Sequence, residues 1–401
     1  MRIKGGYWLV AGSLALGMPA AKAQSSVTLY GIVDAGVSYI SNVGVATTTG
    51  AKGRPVQYQN KSRFAFNSGG DYGNRWGLNG KEDLGDGLSA VFQLENGFNI
   101  GTGALSSAGT QFNRQAYFGL SSTRYGSLTF GRQYEAITDL VEAYGPDFVG
   151  GIGTYAGDIS NFDNSIRVNN SVKYRTPTYA GFSGELLYGL GGTPGSINTG
   201  STFSAGANYV QGPVALAAGY LRLDNSGATT NAWSASADGN FGSSVTAGYA
   251  GARRVQIATA AANYTIGAAT FGVNYGYTDY QPSAYSSFRQ SVSYNSAGIG
   301  ARYVISPALT VGASATYTLG QSVADGASRP RYQNVAAAAW YNLSKRTGFY
   351  IYGGYQHASG STLDAFGNVV AATASIGDKA NGMSSGSRNQ VMVNIGMFNK
   401  F

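Results

Sequence analysis

Apolar and polar residues alternate along most of this chain with a period of two. In VTLYGIVDAGVSY, Val27, Leu29, Val33, Ala35, Val37 and Tyr39 share one face, while Thr28, Tyr30, Asp34 and Ser38 share the other. In IRVNNSVKYRT the polar face carries Arg167, Asn169, Ser171, Lys173 and Arg175, opposite Ile166, Val168, Val172 and Tyr174. The last stretch, RNQVMVNIGMFNKF, sets Val391, Val393, Ile395, Met397 and Phe401 against Met392, Asn394, Gly396, Phe398 and Lys400. Successive side chains of a strand point to opposite sides, so the pattern predicts strands whose two faces meet different surroundings.

The connections alternate too. Seven short ones, at 83–87, 122–126, 176–181, 211–213, 265–268, 306–308 and 344–347, have the chemistry of hairpin turns. Between them lie eight long polar segments: 42–60, 99–111, 134–165, 191–202, 223–253, 280–291, 321–331 and 358–387. That count requires sixteen strands. One more hairpin within 233–251 would make eighteen, but that stretch alternates weakly and is mostly small residues, so it reads as part of a long loop. The predicted fold is all-β: a 16-stranded antiparallel transmembrane β-barrel with lipid outside, water inside, short periplasmic turns and long extracellular loops. Such a barrel has no edge in lipid only if its first and last strands pair. The last strand should therefore run cleanly to the membrane boundary, with Phe401 on the lipid-facing row.

Composition supports this reading. Sixty glycines, 29 tyrosines and only 11% charged residues are unlike a soluble domain, where about 25% are charged. Beyond the first segment, no apolar run approaches the ~20 residues of a membrane helix. That first segment, MRIKGGYWLVAGSLALGMPAAKAQ, has basic residues, a short apolar stretch and a small-x-small close, the pattern of an export signal. Cleavage is expected after Ala23, giving 1–23 as signal peptide and 24–401 as the barrel. Loss of Arg2, Lys4 and Lys22 lowers the formal charge from +8 to +5. Cysteine is absent and His357 is the one histidine, so neither a metal site nor a cofactor is expected. Lys and Arg are scattered rather than clustered, which gives nucleic-acid binding little support.

The order of several motifs resembles the trimeric general-diffusion porins of Gram-negative outer membranes, most closely the β-proteobacterial branch. They are SSVTLYGIVDAGV at 25–37, NRWGLNGKEDLGDGLSAVFQLE at 74–95, NRQAYFGL at 113–120, YGSLTFGRQY at 125–134, NLSKRT at 342–347 and the final Phe401. The resemblance implies a passive outer-membrane channel for small polar solutes and ions, assembled as a homotrimer among lipid and lipopolysaccharide. A final strand ending in Phe is also what the barrel-assembly machinery is understood to read. In the family the third long loop folds into the barrel and faces basic residues across a constriction. Here that loop holds Glu135, Asp139, Glu142, Asp147, Asp158 and Asp163 and no Lys or Arg. Its segment 146–151, PDFVGG, resembles the family's loop tip, which makes Asp147 the first candidate carboxylate and Glu142 the second, with Glu135 and Asp139 weaker.

For the facing wall the resemblance implies Arg75, Arg132 and Arg167. Alternation independently turns Arg75 and Arg167 inward, whereas Arg132 shares the parity of Leu128 and Phe130 and needs the strand end to bend it in. Arg114 matches the family but follows the parity of Phe118 and Leu120, so it is a weaker candidate. Opposed carboxylates and guanidinium groups would create a transverse field in the water-filled gap. The charge of +5 leans toward anions, although total charge is not pore charge.

Other readings are a substrate-specific, saturable eighteen-stranded channel, a plugged structural barrel and an outer-membrane hydrolase. No inward aromatic ladder supports the first, and a lone His357 is a poor base for a nucleophilic dyad. GIGTYAG and GLGGTPG are too weak to indicate phosphate binding.

Overall fold

The computed structural model describes residues 25–146, 148–225, 237–238, 240–377 and 383–401. The expected signal peptide and Asp147 lie outside the described residues. Sixteen strands close one antiparallel barrel. They are β1 (Ser26–Ala46), β2 in two segments (Tyr58–Ser68 and Arg75–Gly85), β3 (Leu88–Gly97), β4 (Gln115–Ser122), β5 (Gly126–Gln133), β6 (Val168–Arg175), β7 (Phe182–Gly189) and β8 (Thr202–Gln211). The second half comprises β9 (Val214–Asp224), β10 (Arg254–Ile266), β11 (Ala269–Gln281), β12 (Val292–Val304), β13 (Leu309–Gly320), β14 (Arg331–Asn342), β15 (Thr347–Ser359) and β16 (Asn389–Lys400). Each strand pairs with its sequence neighbour, and β16 closes on β1 from Ile32 opposite Lys400 to Ile40 opposite Met392. The segment 233–251 adds no barrel strand among its described residues; it carries one short 3-10 turn at Ala247–Tyr249.

The alternation read from the sequence is the alternation seen. On β16, Val391, Ile395 and Met397 are exposed while Met392, Asn394 and Phe398 are buried, and Phe401 is exposed in step with the outward row. On β14, Val335 and Tyr341 face out, and Tyr332, Asn334 and Trp340 face in. Outward aromatics cluster near both ends of the strands: Phe271 and Phe349 toward the short turns, Tyr277 and Tyr355 toward the long loops. The six residue steps from Phe349 to Tyr355 span about 20 Å of strand, consistent with the ~25 Å apolar band between two aromatic girdles of a membrane barrel.

The packed core lies inside the barrel, on one side. Ile137, Tyr155 and Phe162 of the third loop, Val245 and Tyr249 of the loop 225–253, and Phe288 and Leu363 pack with Leu221, Ile257 and Tyr294 from the strands. The lumen beside β2–β6 holds a cavity lined mostly by polar and charged side chains.

The pairing of β1 with β2 holds an irregularity that the sequence pattern does not predict. Between Ala35 opposite Ser68 and Ile32 opposite Arg75, β1 contributes two residues, Val33 and Asp34, while β2 contributes six, 69–74. The surplus folds into the lumen. Asp34, fully buried, holds it: its carboxylate accepts the Asp71 and Tyr72 N–H groups at 2.8 and 2.7 Å and the Tyr350 hydroxyl at 2.7 Å. Trp340 Nε1 donates to the Asp71 carboxylate at 2.7 Å, and the Tyr352 hydroxyl donates to the Gly70 carbonyl at 2.5 Å. Hydrogen bonds to a charged acceptor contribute about 1.5–3 kcal/mol each, so losing three of them in Asp34→Ala is expected to destabilise the barrel by at least about 4 kcal/mol. A guanidinium midpoint unchanged from wild type would refute this.

Candidate functional site

The third loop leaves β5 at Gln133 and returns to β6 at Val168, and its first turn is fixed by Glu135. This carboxylate is fully buried. It accepts the Ile137 and Thr138 N–H groups at 2.8 and 3.1 Å, Asn161 Nδ2 at 2.8 Å and the Ser204 hydroxyl at 3.0 Å. Burial pushes its pKa up from the usual carboxylate range. Glu135 therefore staples the loop to the wall and does not line the lumen, which corrects its reading as a pore-facing acid. The loop then runs along the inner faces of β8–β13, where glycines let it approach closely. Ile137 and Val141 lie over Gly219, and the Phe148 ring fills the space above Gly272 and Gly300, where a β-carbon would overlap it. At the tip, a β-carbon on Gly150 would stand 2.7 Å from the Asp71 carboxylate of the β2 inward fold.

Between this loop and the opposite wall lies a cavity of about 1410 Å³. On the loop side Asp139, Glu142 and Asp163 line it; on the wall side Arg75, Arg114, Arg132 and Arg167 do. All four sequence-predicted arginines are thus brought together, and so are Glu142 and Asp139. Asp139 is held by Lys173 Nζ at 2.5 Å, so its charge is largely matched.

The wall is organised around two residues that sequence reasoning did not select. Tyr134 lies between Arg114 and Arg167, each guanidinium 5.8 Å from its ring centroid, and donates its hydroxyl to Glu95 at 3.1 Å. Glu95, on β3, also accepts Arg114 Nε at 2.7 Å and the Tyr30 hydroxyl at 2.9 Å, with Arg75 Nε 3.8 Å away. The signal for Glu95 was present: Gln93 and Glu95 alternate with Phe92 and Leu94, placing it on the polar face.

Arg114 is as deep in the cluster as the others. It precedes β4, so the outward parity of Phe118 and Leu120 does not bind it. Arg132 escapes its outward parity differently. Between Gly131 opposite Ser171 and Gln133 opposite Val168 the register shifts, with Asn170 at φ +50°. The bulge turns Arg132 inward to Asn169 at 2.5 Å, the Asn113 carbonyl at 2.8 Å and Asp238 at 2.6 Å. The same bulge sends Ile166 and Val168 into the core instead of toward lipid. Burial, and then the neighbouring Arg114 charge, hold the Arg167 pKa below the usual guanidinium range.

A closed barrel with an apolar outer face, and a polar lumen narrowed by an inward-folded acidic loop opposite arginines, defines an outer-membrane β-barrel of the porin class. The chain belongs to the Gram-negative porin family, whose profile matches residues 11–318 and 244–362. The chain is 38% identical over 231 residues to an outer membrane porin protein of Bordetella pertussis, covering 54% of this chain and 60% of that one. It is 34% identical over 176 residues to outer membrane porin protein 32 of Delftia acidovorans, covering 42% and 45%. These alignments therefore span about half the length of the relatives. Among solved structures, the anion-selective porin from Comamonas acidovorans superposes with a TM-score of 0.67 at 23% identity, covering 94% of this chain and 100% of that one; it shares the fold. The protein is located in the outer membrane, as its family indicates.

Proposed function

We propose that the chain forms a passive, water-filled channel for small hydrophilic solutes and ions, with its selectivity set where the third loop faces the arginine wall. The observation that carries this reading is the charged cavity itself. Glu142, Asp139 and Asp163 line one side and Arg75, Arg114, Arg132 and Arg167 the other. By the resemblance of the segment 146–151 to the family's loop tip, Asp147 is counted with the acidic side. Such a gap favours solutes that can align a dipole and disfavours apolar ones, which must shed water. Among the described residues five arginines and six carboxylates line the cavity. This near balance argues for weak ion preference, and the chain's overall positive charge does not decide its sign. The working form is a homotrimer in lipid and lipopolysaccharide, exported with cleavage after Ala23 and inserted by an assembly machinery that reads Phe401.

Planar-bilayer recording of the refolded chain under a salt gradient tests the proposal. Large steps in groups of three, rising linearly with salt, are expected. Silence from folded protein would end the channel reading, and small saturating steps blocked by one solute would replace it with a substrate-specific channel.

A further inference from the structure

We infer that Tyr134 is a positioning residue of this channel: its ring face holds the Arg167 guanidinium on the wall, as hydrogen bonds hold the other arginines. The inference rests on the channel reading above. Three of the four wall arginines are tied by polar contacts. Arg75 reaches the Gly73 carbonyl at 3.1 Å, Arg114 the Glu95 carboxylate at 2.7 Å, and Arg132 the Asn113 carbonyl, Asn169 and Asp238. The Arg167 side chain makes no hydrogen bond or ion pair among the described residues, and its Nε is buried without a partner. What it does contact is the Tyr134 ring, whose centroid lies 5.8 Å from the guanidinium carbon. An aromatic face carries partial negative charge and attracts a cation, more strongly where water is excluded. Arg114 stands 5.8 Å from the same ring, so one side chain steadies two like charges. The ring is itself fixed. Its hydroxyl donates to Glu95 at 3.1 Å, the Tyr134 carbonyl accepts Lys173 Nζ at 3.2 Å, and the next residue is the Glu135 staple. Adjacent residues thus set the root of the third loop and the arginine that faces it.

Tyr134→Leu removes the ring and keeps apolar bulk, while Tyr134→Phe keeps the ring and loses only the bond to Glu95. Loss of such a contact changes the occupancy of the held guanidinium position roughly fivefold. The anion-to-cation permeability ratio of Tyr134→Leu is accordingly expected to fall roughly threefold, toward that of Arg167→Gln. That is the scale of one unit charge about 7 Å from the ion path in water. Tyr134→Phe should stay close to wild type. Phenylalanine bearing one, two or three ring fluorines in place of Tyr134 weakens the face's charge at nearly constant shape, and should lower the ratio stepwise. Arg167→Gln should change the ratio less in the Tyr134→Leu background than in wild type, a coupling that a merely structural tyrosine would not show. All variants would be refolded at full length and compared by zero-current potential in potassium chloride gradients, with folding checked by heat-shifted gel mobility. A Tyr134→Leu ratio equal to wild type would overturn the inference while leaving the channel reading intact. So would a Tyr134→Phe ratio as displaced as that of Tyr134→Leu, because the hydroxyl and not the ring face would then be responsible. An undiminished Arg167→Gln effect in the Tyr134→Leu background would show that Tyr134 does not act through Arg167, and would also overturn it. A wild-type chain that folds but does not conduct would remove the channel reading and this inference together.

Discussion

Replacing Arg75, Arg132 and Arg167 together by glutamine is expected to make the channel strongly cation-preferring. All three line the same side of the cavity opposite Asp139, Glu142 and Asp163, and their removal leaves the acidic loop without most of its opposing charge. A unit charge about 7 Å from the path is worth roughly 0.6 kcal/mol at the dielectric of water. Each removal raises cation occupancy and lowers anion occupancy, so three together should change the permeability ratio by tens-fold at low salt and less above ~0.15 M. Arg114 is kept because Glu95 would otherwise be left as an unpaired buried carboxylate, a cost of about 3–5 kcal/mol. Lys345→Gln with Arg346→Gln, in the exposed short turn between β14 and β15, alters total charge without touching the cavity and should leave the zero-current potential in place. Equal shifts in the two variants would mean that total charge, not the arginine wall, sets selectivity.

Gly300→Leu is expected to lower single-channel conductance by pushing the loop tip into the lumen. The Phe148 ring occupies the space over Gly272 and Gly300, and the Phe148 carbonyl lies against Gly312. No rotamer of a leucine at 300 avoids that ring, because the overlap begins at the β-carbon. Overpacking of this kind costs about 1–3 kcal/mol, relieved if the tip moves off the wall toward the arginines. A second substitution, Phe148→Ala, removes the obstructing ring and should restore conductance in the Gly300→Leu background. Phe148→Ala alone loses about 3–5 kcal/mol of local anchoring and should produce frequent partial closures. Wild-type conductance in Gly300→Leu would show that the tip is not held by the glycine trough.

Strand number, loop lengths and facing were legible in the sequence because period-two alternation is imposed by lipid on one side and water on the other. Val391, Ile395 and Met397 had no other face to occupy. The acidic loop and the arginines were legible through resemblance, and Arg75 also through its alternation with Trp76. What alternation could not convey lay where the strand register breaks. Ile166 and Val168 are apolar yet inward because a bulge at Asn170 reverses their parity, and Arg132 is inward for the same reason. Glu135 looked like its acidic neighbours; only the tertiary fold brings Asn161 and Ser204 to it. The inward fold at 69–74 contains Gly69, Gly70 and Gly73, a hint of irregular backbone. Its partners, Asp34, Tyr350 and Trp340, are scattered over the whole chain.

That inward fold has a consequence for engineering. Asp34 stands opposite Phe398 on the seam where β1 meets β16, and it also holds the segment whose Asp71 approaches the loop tip. The joint that closes the cylinder and one rim of its aperture are thus a single piece of carpentry. Changes that widen the passage from this side will loosen the joint as well. The neighbouring wall on β3–β6 carries no part of the seam, so the aperture can be reshaped there with the closure left untouched.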